Sequence, residues 1–230
     1  MTAQLNPRGD VAVIVPAAGA GVRLGPGEPK ALRLLAGLPL LVHAVRRIAA
    51  AASVHTIVVA APPSDVPAVR DLLASVAPVT VVAGGATRQA SVAAALAEVP
   101  PGADIILVHD AARALAPASL VEAVAAAVRG GHDAVIPVLP VIDTIKEVSP
   151  DGAVLGTVDR SRLRAVQTPQ GFRREVLTAA HATATDPLTD DAGLVEKAGV
   201  AVSCVPGSEY AFKITRPLDL AIAEHLLGLA

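Results

Sequence analysis

Short apolar runs rich in Val and Ile alternate along this chain with longer stretches rich in Ala and Leu. The β-branched runs predict strands, and the longer stretches predict helices. The predicted strands cover residues 11–15, 56–60, 79–82, 105–108, 134–139 and 200–205. The predicted helices cover residues 40–52, 65–75, 88–98, 118–129, 173–183, 190–197 and 217–227.

The apolar positions in the predicted strands are continuous and do not alternate with polar ones, which indicates burial on both faces. We therefore expect one α/β domain over residues 1–230, with a mostly parallel, Rossmann-like sheet in three layers and helices on both faces. In such sheets ligands bind beyond the carboxyl ends of the strands. The residues that follow each strand are thus the first candidates for a functional site.

One segment, about residues 141–160, departs from the alternating pattern. Two β-rich runs flank Ser149-Pro150-Asp151-Gly152, which is a typical turn sequence. This pattern predicts a β-hairpin arm inserted into the α/β chain. An isolated hairpin is marginally stable in water, so we expect the arm to pack against a second subunit of a homodimer.

Composition excludes several classes of function. Three aromatic residues, Phe172, Phe212 and Tyr210, cannot provide a stacking surface for nucleic acid, and no Lys/Arg block accompanies the net charge of −2. The single cysteine, Cys204, lies in an apolar run and is expected to be a buried thiol. The first ten residues contain no apolar signal core, and no uninterrupted stretch is long enough for a spanning helix. We therefore expect a soluble cytoplasmic protein that binds neither nucleic acid nor membrane.

The first predicted strand runs into a glycine-rich loop that carries Gly19, Gly21 and Arg23 and is followed by Lys30. Glycines let backbone amides approach a ligand, and two cations favour a triphosphate. The loop matches neither the dinucleotide fingerprint, whose third glycine would come one position earlier, nor the P-loop, which needs Ser or Thr after the lysine. A plain strand-to-helix turn is the alternative.

Other strand ends carry polar residues too. Gly84-Gly85 precedes a helix that contains Ser91, and this pattern fits a ligand loop or a simple helix cap. Asp110 and Arg113 follow the fourth strand and are expected to contact substrate or each other. His109 is expected to be a packed, hydrogen-bonded histidine, not a catalytic one. Lys213 is placed at a further strand edge.

Taken together, these blocks resemble one family over nearly the whole chain. The blocks are Pro16-Ala17-Ala18-Gly19-x-Gly21-x-Arg23-x(6)-Lys30, Gly84-Gly85-x-x-Arg88-x-x-Ser91-Val92, Val108-His109-Asp110-Ala111-Ala112-Arg113, Asp143-Thr144-Ile145-Lys146, Thr157-Val158-Asp159-Arg160, Gln167-Thr168-Pro169-Gln170, Thr189-Asp190 and Lys213-Ile214-Thr215-Arg216-Pro217. They occur in the order seen in the 2-C-methyl-D-erythritol 4-phosphate cytidylyltransferases of the non-mevalonate isoprenoid pathway.

The resemblance implies transfer of a cytidylyl group from CTP to methylerythritol phosphate, with Mg²⁺ as cofactor and pyrophosphate as the second product. The residues that it implies around the triphosphate are Ala17, Ala18, Gly19, Arg23 and Lys30, of which Arg23 and Lys30 are the catalytic candidates. Gly85, Ser91 and Ala111 would surround the cytidine. Asp110, Arg113, Thr168 and Lys213 would line the alcohol phosphate site, and Asp110 is also the candidate metal ligand. Thr144 and Arg160 would arrive from the partner subunit.

Departures from the family pattern and alternatives stay open at this point. Ala86 and Ala90 replace polar or acidic side chains of some members, so contacts to the base or ribose there are not assumed. Asp191 replaces a commoner Glu. A cytidylyltransferase for another polyol phosphate, such as a pentitol phosphate, would carry similar loops. A non-catalytic nucleotide-binding module is less favoured because Arg23 and Lys30 are both retained.

Overall fold

The protein is described by a computed structural model, which covers residues 4–6, 9–19, 24, 28–184 and 188–228. The strands are β1 (Val11–Pro16), β2 (Leu34–Leu35), β3 (Leu38–Pro39), β4 (Val54–Ala61), β5 (Thr80–Ala83), β6 (Ile105–Val108), β7 (Ala134–Pro140), β8 (Ile145–Val148), β9 (Val154–Val158), β10 (Arg164–Val166), β11 (Gln170–Arg173) and β12 (Val202–Pro206). The helices are α1 (Leu40–Ala49), α2 (Val66–Ala74), α3 (Arg88–Ala97), α4 (Ala118–Arg129), α5 (Arg174–Thr183), α6 (Asp191–Lys197) and α7 (Pro217–Gly228).

A mixed eight-stranded sheet forms the centre of the fold. Its strands follow the order β10-β7-β11-β6-β1-β4-β5, and β12 pairs in parallel with β7. The pairs β5–β4, β4–β1 and β1–β6 are parallel, whereas β11 runs antiparallel between β6 and β7. The expectation of a mostly parallel α/β sheet is confirmed, and the carboxyl ends of β1, β4, β5 and β6 lie at one edge.

Alternate residues of β1 divide the core into two layers. Val11, Val13 and Val15 pack with α1, α2 and α4 on one face, and Ala12 and Ile14 pack with α3, α5 and α6 on the other. Both faces are fully buried because each is covered by helices. This arrangement confirms the three-layer architecture. In the described part of the chain, no helix is both long and apolar enough to cross a membrane.

The sequence pattern missed several short strands and misplaced two residues. The ladder of β2 with β3, and the strands β10 and β11, were not predicted. Cys204 is exposed, which contradicts the expected buried thiol, because β12 is an edge strand. Lys213 does not end a strand; it follows a 3-10 turn over Glu209–Ala211.

The predicted hairpin arm forms as β8 and β9, which pair with each other in a separate two-stranded sheet. Large apolar side chains of the arm face outward: Val148, Val154 and Leu155 are 56%, 62% and 62% exposed. Nothing in the described part of this chain covers them. Packing of the arm against a second subunit stays a prediction.

Candidate active site

A cavity of about 420 Å³ opens at the carboxyl edge of the parallel strands. Three loops that follow β1, β5 and β6 line it, together with two segments distant in sequence. Its described lining comprises residues 16–19, 30–31, 85–88, 91, 110–112, 213 and 215. The topology therefore brings together most residues that the sequence singled out at strand ends.

The loops after β1 and β5 meet at Gly84. A Cβ atom at this position would lie 2.6 Å from Ala18 Cβ and 3.0 Å from Ser91 Oγ, so only glycine permits the contact. Gly85 is equally confined, because its Cβ would lie 2.5 Å from Ala90 Cβ. Gly19 differs, since a Cβ there would meet nothing within 4 Å. Its missing side chain leaves room in the cavity.

Polar side chains hold the Gly84–Gly85 turn at the start of α3. Thr87 Oγ1 accepts a hydrogen bond from the Ala90 N–H at 3.0 Å, which confirms the helix-cap alternative for this segment. Ser91 is 2% exposed, and its Oγ accepts from the Gly85 N–H at 3.1 Å. The same hydroxyl lies 2.9 Å from the Thr87 carbonyl oxygen, to which it can donate. Ser91 thus shapes the turn and also lines the cavity.

Asp110 is the carboxylate of the cavity, and two cations hold it. Lys213 Nζ lies 2.7 Å from Asp110 Oδ2, and Arg88 Nε lies 3.4 Å from Oδ1. Burial raises the pKa of the Asp110 carboxyl, but the charges of Arg88 and Lys213 outweigh it and hold that pKa well below its usual range. Asp110 is therefore ionised, and it fixes the Lys213 ammonium group at the cavity wall.

Thr168 and His109 support Asp110 from behind. Thr168 Oγ1 accepts a hydrogen bond from the Asp110 N–H at 3.0 Å and lies 3.2 Å from His109 Nδ1. His109 is 1% exposed, and burial lowers its pKa to about 4. The imidazole is neutral near pH 7, and its Nδ1 is paired with the Thr168 hydroxyl group. This geometry confirms the expectation of a packed, hydrogen-bonded histidine.

Arg113 is buried and donates hydrogen bonds to backbone carbonyl groups of two other segments. Its Nη1 donates to the Ala211 carbonyl at 2.7 Å, and its Nη2 donates to the Val166 carbonyl at 3.1 Å. These bonds hold the segment before Lys213 and strand β10 beside the end of β6. Its Nε is buried with no hydrogen-bond partner among the described residues. The role of Arg113 in binding the alcohol phosphate stays a prediction.

Three further predicted site residues are not found in the described cavity lining: two lie on the hairpin arm, and the third is not among the residues that the structure describes. Thr144 and Arg160 are both exposed, and Arg160 donates to the carbonyl oxygen of Ile142. Neither lines the described cavity of its own chain. Arg23 falls outside the residues that the structure describes.

Arg88, to which the sequence motifs gave no role, lines the cavity and bridges two carboxylates. Its Nη1 lies 2.6 Å from Asp191 Oδ2, in addition to its contact with Asp110. The pattern Gly-Gly-x-x-Arg contained this residue, but the arginine looked like the first residue of a helix. Its partner Asp191 is 103 positions away in sequence, so no local signal could have linked the two.

Comparison with known proteins agrees with this geometry. The family profile described as "IspD: 2-C-methyl-D-erythritol 4-phosphate cytidylyltransferase" matches residues 11–228. This chain belongs to that family. A cytidylyltransferase of this name from Frankia casuarinae is 58% identical over 223 residues, which cover 97% of this chain and 82% of that protein. A cytidylyltransferase of the same name from Streptomyces avermitilis is 54% identical over 228 residues, which cover 94% of this chain and 91% of that protein.

A solved structure extends the similarity to three dimensions. The crystal structure of 2-C-methyl-D-erythritol 4-phosphate cytidylyltransferase from Thermus thermophilus has a TM-score of 0.78 and 37% identity. The match covers 94% of this chain and 98% of that one. Membership in this family makes the chain a nucleotidyltransferase, and the cavity at the carboxyl edge is its candidate active site.

Proposed function

We propose that this cavity transfers the cytidylyl group of CTP to 2-C-methyl-D-erythritol 4-phosphate in isoprenoid precursor synthesis. The products are 4-diphosphocytidyl-2-C-methyl-D-erythritol and pyrophosphate. One observation carries the proposal: residues 16–19 at the start of the glycine loop, Gly85 and the Asp110–Lys213 pair all line one cavity in a member of this family.

We assign the two substrates to adjoining parts of the cavity. The triphosphate lies against the loop that contains Ala17, Ala18 and Gly19, beside Lys30. Arg23, which belongs to the same sequence motif, is the second cation that we assign to it. The cytidine lies between Gly85, Ser91 and Ala111. The alcohol phosphate binds near Asp110, Thr168 and Lys213, where a cation is already held at the cavity wall.

The reaction depends on in-line placement of the two substrates and on positive charge around the phosphates, and it needs no strong general base. A phosphate monoester is an oxyanion near pH 7, and one of its oxygens attacks the α-phosphorus of CTP. A new P–O bond forms, and the bond to the β-phosphate oxygen breaks, so pyrophosphate leaves. Lys30 and Arg23 stabilise the charge that develops on the phosphate oxygens. We assign His109 no part in proton transfer, because it is buried and does not line the described cavity.

The cavity residues fit a Mg²⁺ ion that is held by one carboxylate and by phosphate oxygens of the substrate. No cluster of three or more acidic, His or Cys side chains is found among the described residues, and Asp110 is the lone carboxylate of the cavity lining. Mg²⁺ commonly uses one or two carboxylates together with substrate phosphates. Asp110 would hold the ion with oxygens of the triphosphate, and the ion would supply further positive charge there.

The hairpin arm supplies the remaining contacts in this proposal. Thr144 and Arg160 are exposed on the arm, and its outward side chains Val148, Val154 and Leu155 are apolar. In a homodimer the partner subunit covers these side chains, and the arm carries Thr144 and Arg160 to the alcohol phosphate of the partner's site. The active site is then shared between two subunits.

Turnover with defined substrates tests the function. The protein is incubated with CTP, MgCl₂ and methylerythritol phosphate, and pyrophosphate and the CDP-alcohol are measured. We expect equal amounts of both products, loss of turnover with EDTA and recovery with excess MgCl₂. A pentitol phosphate replaces the substrate in a parallel reaction. Turnover with the pentitol phosphate alone would assign the chain to that polyol instead, and no turnover with either would contradict the proposal.

A further inference from the structure

The contact between Asp110 and Arg88 is part of a chain of paired side chains that extends away from the cavity. Behind Arg88 lies Asp191, which is 0% exposed and places Oδ2 2.6 Å from Arg88 Nη1. On the other side of Asp191, His181 Nε2 lies 3.1 Å from Oδ1. Both oxygens of the Asp191 carboxylate are thus engaged, and the carboxylate is fixed in one orientation.

Arg88 is shared unequally between its two carboxylates. The distance from Arg88 Nη1 to Asp191 is 2.6 Å, whereas the distance from its Nε to Asp110 is 3.4 Å. Lys213 takes the other oxygen of Asp110 at 2.7 Å. Asp110 is therefore bound more closely by Lys213 than by Arg88.

We propose that Asp191 is a positioning residue for the alcohol phosphate half of the site. This proposal rests on the function proposed above. Asp191 holds Arg88 back from Asp110, and this leaves Asp110 to anchor Lys213 where the substrate phosphate binds. Guanidinium groups favour two-point contacts with carboxylates. Without the charge of Asp191, Arg88 turns to Asp110, competes with Lys213 and releases the ammonium group from its place.

Asp191 is not needed to cap the amino end of α6. Asp190 already caps the helix, since its Oδ1 accepts from the Gly193 N–H at 3.1 Å. Gln170 adds further support, because its Nε2 donates to Asp190 at 2.7 Å and its Oε1 accepts from the Ala192 N–H at 3.1 Å. A buried ion pair is weak evidence for stability in itself. A role in holding Arg88 beside the cavity accounts for a carboxylate side chain at this position.

Asp191→Asn tests the proposal, because asparagine keeps the size of the side chain and removes its charge. We expect KM for methylerythritol phosphate to rise about tenfold, as for coupled residues of one charge network. KM for CTP should change less than about twofold, since the glycine loop and Lys30 are untouched. Asp10→Asn is the matched control. It removes an Asp–Arg pair at the amino end of β1, where Arg129 Nη2 lies 2.6 Å from Asp10, and both KM values should stay at the wild-type level.

A double-mutant cycle with Arg88→Lys shows whether Asp191 acts through Arg88. Lysine cannot make a two-point contact with Asp110, so the double variant should have a lower KM for methylerythritol phosphate than Asp191→Asn alone, and Arg88→Lys alone should raise that KM less than Asp191→Asn does. Additive effects, an unchanged KM in Asp191→Asn, or equal rises for both substrates would overturn the proposal. If Asp191→Asn does not fold, a rise of about tenfold in the KM for methylerythritol phosphate of Arg88→Lys alone would overturn the proposal, because no guanidinium group is then present to compete with Lys213. Absence of turnover in the wild-type protein would instead contradict the proposed function.

Discussion

At the scale of single residues, Lys30 lies beside the glycine loop, because its backbone N–H donates to the Gly19 carbonyl at 3.2 Å, and it also lines the cavity. We expect Lys30→Ala to lower kcat by about two to three orders of magnitude, as for loss of a preorganised contact to transition-state charge. Substrate KM values should change much less. Steady-state kinetics measure both, and a kcat close to the wild-type value would exclude the proposed role.

Lys213 is held by Asp110 and is assigned to the other substrate. Lys213→Ala should raise KM for methylerythritol phosphate by roughly 10- to 100-fold, because a charge-assisted hydrogen bond of about 1.5–3 kcal/mol is lost. KM for CTP should change little. Equal increases for both substrates would move Lys213 to the triphosphate side of the cavity.

His109 makes stability depend on pH. Burial lowers its pKa from 6.5 to about 4, so between these values the unfolded chain binds a proton that the folded protein does not. This contribution to stability is complete above pH 6.5 and is lost as the pH falls toward 4. The full loss is about 3 kcal/mol, at 1.36 kcal/mol for each pKa unit.

His109→Gln should flatten this slope when urea unfolding is measured across that pH range. His225→Gln, which changes an exposed histidine of α7, is the control and should keep the slope. If His109→Gln and the wild type lose stability equally between pH 6.5 and 4, the slope has another origin.

At the scale of elements, the cavity depends on how closely the loops after β1 and β5 approach each other. Gly84→Ala places a Cβ 2.6 Å from Ala18 Cβ, so the two loops must separate. We expect a loss of about 1–3 kcal/mol in the free energy of unfolding, as for overpacked sites, together with weaker CTP binding.

Gly19→Ala is the matched comparison for stability, because its Cβ meets nothing within 4 Å. Its free energy of unfolding should equal that of the wild type. Thermal unfolding of both variants checks the pair, and equal stability of Gly84→Ala and Gly19→Ala would contradict the packing argument.

The elements themselves were largely predictable. Every predicted strand and helix exists, because continuous β-branched runs and Ala/Leu-rich stretches determine local structure. The short strands β2, β3, β10 and β11 were missed. Each has four residues or fewer, and each forms through pairing with a partner strand and not through its own periodicity. The antiparallel direction of β11 in particular is set by its neighbours β6 and β7.

At the scale of the whole molecule, the proposed dimer predicts that inactive variants rescue each other. Lys30→Ala and Arg160→Ala are mixed, and their subunits are allowed to exchange. Random pairing makes about half of the dimers mixed, and each mixed dimer has one intact and one doubly altered site, so activity should reach about a quarter of wild type.

Exchange of subunits is verified with two different affinity tags. If both residues act within one chain, every site of a mixed dimer lacks one group and no activity returns. Failure to recover activity despite confirmed exchange would therefore reject the shared site.

The sequence by itself determined which segments become strands and helices and which loops face the carboxyl edge of the sheet. It also carried the motifs that identify the family, since these are local and ordered along the chain. Only the tertiary structure decided which charges meet. Asp191 reaches Arg88 across 103 positions, Arg113 binds carbonyls of Ala211 and Val166, and Cys204 is exposed on an edge strand. Burial and ion pairing depend on contacts between distant segments, and local patterns contain no information about those contacts.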